Sequence, residues 1–233
     1  MGFANWNGYS CGYNDSTFRT QADFLVSSGL RELGYTTMII QECITPRGHR
    51  DSKGAPQPDP VKFPFGIKDL CDYMHAKGLK CGIYTDVGNT TCAGYEGSYN
   101  HDRDDAAAFA SWGIDFVEED SCAHDAKTMP PYHVLYQRMR DALNATGRPM
   151  VFYMCVQGQD SVYQWGRETG NLWRTTWDIA HQDPTFKGNH HLAPNLATWS
   201  GIMDNFYGNM RYPNVTEVGA WQDPVSRTRD LPL

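Results

Sequence analysis

The chain has 233 residues, a net charge of −7 and a composition that is 40% hydrophobic and 13% aromatic. That length suits one large domain with a sizeable core rather than two, and the mixed, moderate charge excludes an intrinsically disordered chain. The acidic balance without any cluster of Lys and Arg argues against a nucleic-acid partner, and no apolar run approaches the roughly 20 residues that span a bilayer. A weak strand pattern opens the chain at residues 2–5, followed by a helix over 16–28 with a Ser cap and a stop at Gly29. A buried strand is predicted at 35–40. The next helix, 67–77, carries Ile67, Leu70, Cys71 and Met74 on one face and stops at Gly78. Strand 80–84, helix 102–112 with its acidic first turn, strand 114–117, helix 132–143 and strand 149–154 continue the alternation. Weaker strand patterns sit at 171–175 and 217–220.

Repeated strand–helix units of this length imply an α/β fold with a parallel sheet covered by helices. A doubly wound sheet is disfavoured because no dinucleotide fingerprint follows the first strand and seven units are many for that fold. The better expectation is a TIM-type (β/α)8 barrel, whose functional residues sit at the C-terminal ends of its strands. Polar and acidic residues gather at those ends here: Trp6, Gln41, Glu42, Asp86, Asp120, Arg174, Asp178 and Asp223. A single carboxylate at a strand end is more often a helix cap; several on one rim point to a site. About seven units can be counted, so the barrel over residues 1–224 is expected to be unclosed, with an unstructured polar and basic tail at 225–233.

Seven cysteines leave at least one unpaired if the others bridge. With four Asn-x-Ser/Thr sequons, at Asn14, Asn89, Asn144 and Asn214, they favour an oxidising compartment and hence secretion. The chain nevertheless starts at Met1-Gly2-Phe3 without a charged-then-apolar leader, so a signal peptide is absent from it.

Two segments carry the chemistry. In the run 114–120, alternation puts Phe116, Glu118 and Asp120 on one face of a strand and Glu119 on the other. Glu118 then lies one layer deeper than Asp120, and two acids that close raise each other's pKa unless donors intervene. In Trp173-Arg174-Thr175-Thr176-Trp177-Asp178, the arginine can reach a substrate hydroxyl or the Asp178 carboxylate, and the tryptophans offer a platform for a sugar face. A surface ion pair of little value is the bland alternative. Two carboxyls flanking one bond is what glycoside hydrolysis needs, a separation of about 5–5.5 Å implying retention. Asp120, ionised and held by donors such as Tyr84 or Arg174, fits the nucleophile; Asp178, protonated in the free enzyme, fits the acid/base.

The chain resembles glycoside hydrolase family 27, the α-galactosidases and α-N-acetylgalactosaminidases, from Met1 to Pro224. The motifs are Met1-Gly2-Phe3-Ala4-Asn5-Trp6-Asn7, Phe63 to Lys68, Gly78 to Asp86, Thr91 to Ser98, Phe116 to Cys122, Trp173 to Ile179 and Gly219 to Pro224. The resemblance implies Asp120 as nucleophile, Asp178 as acid/base, and Trp6, Tyr84 and Arg174 as sugar-contacting residues, to which the platform reading adds Trp177 as a substrate-binding candidate. It also implies disulfides Cys11–Cys43 and Cys92–Cys122. Cys155 is expected to be free because Asn171 stands where the family has its partner, and Cys71 and Cys81 read as buried thiols. The C-terminal β-sandwich that the family carries is not expected in this chain.

The departures are specific. The family's Asp-Asp pair, which binds the 4- and 6-hydroxyls of galactose, is Gln41-Glu42, and its Lys two residues before the nucleophile is Glu118. Gln41, Glu42 and Glu118 are therefore candidate substrate-binding residues with altered chemistry. The expected activity is exo-acting release of a terminal α-linked sugar, galactose or a related glycoside, through a covalent intermediate on Asp120. The alternatives are a glycosidase for a different sugar and an inactive relative that at most binds carbohydrate. The substrate is an oligosaccharide or glycoside. No cofactor or metal is expected, the eight histidines being scattered without ligand spacing and read as solvated.

Overall fold

A computed structural model describes residues 1–178 and 199–223. Seven strands form one parallel sheet in the order of the sequence: β1 (Gly2–Ala4), β2 (Thr37–Ile40), β3 (Lys80–Asp86), β4 (Phe116–Asp120), β5 (Val151–Met154), β6 (Leu172–Arg174) and β7 (Trp221–Asp223). Strand order without a switch, with a helix returning outside each step, is the winding of a TIM-type (β/α) barrel. Among the described residues β1 and β7 are not paired with each other. The register sets the rim: Tyr84 pairs with Glu118, Asp86 with Asp120, and Arg174 with Asp223.

The helices are α1 (Trp6–Tyr9), α2 (Asp15–Ser27), α3 (Gly66–Ala76), α4 (Asp102–Trp112), α5 (Tyr132–Ala145), α6 (Gly166–Thr169) and α7 (Trp199–Met210). Helices α2, α3 and α5 each bury an apolar stripe, that of α3 being the one its sequence predicts. Phe18, Ala22 and Leu25 of α2, Ile67, Leu70 and Met74 of α3, and Leu135, Tyr136 and Met139 of α5 lie in one core with Met38, Ile40, Ile83 and Val117 of the strands. Burying each large apolar side chain contributes about 1.5–3 kcal/mol. Helix α2 is capped by Asn14 rather than Ser16, through a reciprocal pair with Thr17 that satisfies two free N–H groups.

Three expectations need correction. Residues 217–220 form a tight turn closed by the Glu217–Ala220 bridge, and the strand begins one residue later at Trp221. The apolar Val218 that suggested a strand is 98% exposed at the turn. Helix α7 went unrecognised in the sequence. Cys71 and Cys81 are not thiols: α3 packs on β3 with their Cα atoms 5.3 Å apart, and they form a disulfide. The bridges Cys11–Cys43 and Cys92–Cys122 and the buried free Cys155 are as expected. The tail at 225–233 and the histidines His181, His190 and His191 lie outside the described residues.

Candidate active site

Asp120 is the last residue of β4 and is held from three sides. Tyr84 Oη donates to Oδ2 at 2.9 Å; the Ser121 N–H and Gln157 Nε2 donate to Oδ1 at 2.8 and 3.0 Å. Burial and the charge of Asp120 push the Tyr84 hydroxyl well above its ordinary pKa, so it remains a donor. Level with Asp120 on β3, Asp86 accepts the backbone N–H groups of Gly88 and Cys122 at 2.7 and 2.8 Å, which ties the loops after β3 and β4 together. Burial, then the charge of Asp120, push its carboxyl up to about 8. A side chain could not be added at Gly88, whose Cβ would fall 2.5 Å from the Ala123 carbonyl oxygen. Glu119 points away from this rim, as alternation requires. It is 1% exposed against α4 and α5, and burial raises its carboxyl well above the usual range, with Asp102, Asp86 and Asp105 adding to it.

Gln41 follows β2 directly. Its backbone is clamped by Asn5, which accepts the Gln41 N–H at 2.7 Å and donates to the Gln41 carbonyl at 3.0 Å. The Gln41 amide nitrogen donates to Glu118 Oε2 at 2.5 Å, and the Cys155 thiol lies 3.4 Å from Oε1. Burial, then Glu118, push the Cys155 thiol up, which keeps its proton in place. Glu118 thus sits beneath Gln41, and the described lining of the cleft includes Gln41 but not Glu118. Glu42 and Cys43 take left-handed backbone at φ 54° and 53°, uncommon for residues other than glycine. That turn carries the Glu42 carboxylate to the loop after β3, where it accepts from Thr91 Oγ1 at 2.6 Å and from the Ala93 N–H at 3.0 Å. Burial raises the Glu42 carboxyl despite these donors.

From the opposite side come Arg174, at the end of β6, and Asp178. Arg174 is 2% exposed and donates to Asp178 Oδ1 at 2.6 Å. The arginine is buried while the Asp178 side chain is 33% exposed at the cleft, so the pair is only half desolvated. Burial lowers the guanidinium pKa, but Asp178 and the other negative groups around it more than offset that, so Arg174 is charged. A guanidinium at this distance favours an ionised carboxylate, whereas an acid in the free enzyme was expected to be protonated. The tryptophans divide. Trp177, 42% exposed, and Trp6 line the cleft, but Trp173 is fully buried against Gly166 and forms no sugar platform.

Trp6, Gln41, Glu42, Tyr84, Asp120, Arg174, Trp177 and Asp178 therefore share one cleft of about 290 Å³. Sequence reasoning missed Ser121, His124, Tyr132, Gln157 and Gln159, which complete its wall. Gln157 is the consequential one, because its amide holds the candidate nucleophile; a Gln-Gly step three residues past the end of β5 was the available signal. His124 is not simply solvated, since it packs on Tyr132 with ring centres 4.1 Å apart and planes tilted by 33°. His75 bonds Asp115 at 2.7 Å on the far side of the sheet. Asp86, Asp120, Cys92 and Cys122 are close enough together to suggest metal ligation, but the two sulfurs are bonded to each other.

Residues 4–224 match the family described as Melibiase_2, alpha galactosidase A. The alpha-galactosidase A of Cellvibrio japonicus is 41% identical over 228 residues, covering 96% of this chain and 53% of that protein. Alpha-galactosidase I from Mortierella vinacea superposes with a TM-score of 0.85 at 33% identity, over 96% of this chain and 58% of its own. The α-galactosidase of Saccharomyces cerevisiae solved with raffinose gives 0.83 at 29% identity, over 96% and 51%. The chain spans about half the length of the curated relatives it matches.

Proposed function

The chain belongs to the alpha-galactosidase family, glycoside hydrolase family 27, and on that premise we propose that it releases a terminal α-linked sugar by a double displacement on Asp120. The observation that carries this reading is Asp120 itself, a carboxylate at a strand tip fixed by three donors in a cleft shared with Asp178. Asp120 attacks the anomeric carbon while Asp178 gives a proton to the leaving oxygen, so the glycosidic bond breaks as the glycosyl ester forms. Asp178 then takes a proton from water, whose oxygen displaces Asp120 and restores both groups with retained configuration. Donors aimed at the carboxylate keep it oriented, and that alignment lowers the cost of reaching the attack geometry. Protonation of Asp178 has to accompany its release from Arg174, which a substrate hydroxyl competing for the guanidinium would bring about.

The sugar is galactose or a related glycoside, in line with what the relatives are named for. Secretion fits three disulfides and the exposure of all four sequon asparagines. The test is a panel of p-nitrophenyl α- and β-glycosides with the purified chain and with Asp120→Asn. Hydrolysis of an α-glycoside that disappears in the variant supports the reading. A chain that cleaves nothing, yet whose tryptophan fluorescence responds to a sugar, is a carbohydrate-binding relative instead; Arg174 sitting on Asp178 is the observation that favours it.

A further inference from the structure

Deep in the cleft, just past the end of β2, one side-chain oxygen has no partner among the described residues. Gln41 is 9% exposed, its backbone is locked by Asn5, and its Nε2 is spent on Glu118. Its Oε1 has no protein partner among the described residues, and the side chain lines the cleft. An amide can turn over and offer either a donor or an acceptor. Here the choice is dictated from below. A carboxylate accepts, and the Cys155 thiol and Gln41 amide nitrogen both point at Glu118. Turning the Gln41 amide would set its oxygen against the Glu118 oxygen about where a hydrogen bond now stands.

We infer that Glu118 is a positioning residue that fixes Gln41 as an obligate acceptor, so that Gln41 selects a sugar bearing a hydrogen-bond donor at the ring position it faces. Glu118 does this without lining the cleft. The ligand class is a pyranoside with a free hydroxyl or an ammonium group at that position; an ether, an ester or a fluorine there is rejected, since each only accepts. Of the neighbouring acceptors, the Glu42 oxygens are taken by Thr91 and Ala93 and Asp178 Oδ1 by Arg174. The inference rests on the sugar-cleaving reading only in taking a pyranoside as the occupant.

The experiment compares binding of galactose with its deoxy and deoxyfluoro analogues, one position at a time, by calorimetry or by tryptophan fluorescence. Binding does not require turnover, so failure of the catalytic reading leaves this test intact. One position should lose about 10–100-fold on fluorination, no less than on deoxygenation, because a buried acceptor left facing fluorine is unsatisfied. Gln41→Met should abolish that discrimination at that position alone. Glu118→Lys should reverse it, since an ammonium below turns the amide to present its nitrogen to the cleft. Glu118→Gln, which can pair either way, should fall between and stands in if Glu118→Lys does not fold. Equal losses at every position in Gln41→Met, or unchanged selectivity in a folded Glu118 variant, overturn the inference. So does the absence of binding by any galactose analogue.

Discussion

Asp86 gives the sharpest test of the site's electrostatics. In the unfolded chain its carboxyl titrates near 3.8; in the folded protein, burial and the nearby Asp120 charge move it to about 8. Between those values the native state holds a proton that the unfolded chain has released. Stability therefore falls as pH rises, by about 1.4 kcal/mol per pH unit from this one group. From pH 5 to pH 8 the loss is about 4 kcal/mol, a large part of the roughly 5–15 kcal/mol available to a folded domain. Asp86→Asn removes the titration while keeping the shape. It should cost about 1–3 kcal/mol at pH 5, because one of the N–H groups of Gly88 and Cys122 then faces an amide nitrogen. That cost does not vary with pH, so by pH 8 the variant should equal or exceed the parent in stability. Urea unfolding followed by tryptophan fluorescence at pH 5, 6, 7 and 8 measures this, each chain being compared with itself. Raised carboxyls at Glu42, Asp102 and Glu119 slope the same way in both chains and cancel in the difference. A gap between parent and variant that is the same at pH 5 and pH 8 would refute the reasoning.

Two further outcomes follow from named contacts. Denatured without reductant, the chain should take up one equivalent of N-ethylmaleimide, at Cys155, rather than the three expected if Cys71 and Cys81 were thiols; replacing both with Ala should lower stability by about 2–3 kcal/mol, the loop being 10 residues long. Gln157→Ala should reduce kcat by about 10–100-fold through loss of the donor to Asp120 Oδ1, and Gln157→Glu should do worse by placing a like charge there. Steady-state kinetics alongside urea midpoints would tell an effect on the nucleophile from a loss of fold.

Much of the barrel was legible because strands buried on both faces must be written as largely apolar runs, as β2, β5, the middle of β3 and the approach to β4 are. The Asp120 and Glu119 faces followed from alternation alone. What stayed hidden depends on which elements meet in space. Cys71 on a helix and Cys81 on a strand look like ordinary buried thiols until α3 is packed on β3. Trp173 and Trp177 have the same composition around them, yet one falls in the core and the other at the mouth. Val218 reads as strand, but its exposure comes from a turn closed by its neighbours' backbones. The role of Gln157 required knowing that its loop folds back over β4. Glu118 was placed correctly one layer below Asp120, but that a residue from β2 would roof it over needed the register between strands.

Asn5 does for the end of β1 what another strand residue would do. By accepting the N–H and donating to the carbonyl of Gln41, its side chain continues the ladder one rung past the last paired backbone. The backbone at position 41 is thus anchored by a residue that is itself fully buried and is not among the residues lining the cleft. The side chain at 41 therefore answers within the protein to Glu118 rather than to the backbone ladder. Such a position behaves as a socket: its contents can be exchanged during divergence with little effect on folding, provided the residue at 118 changes in step. Altered preference among related enzymes could then arise from paired substitutions at these two places, without any movement of the main chain.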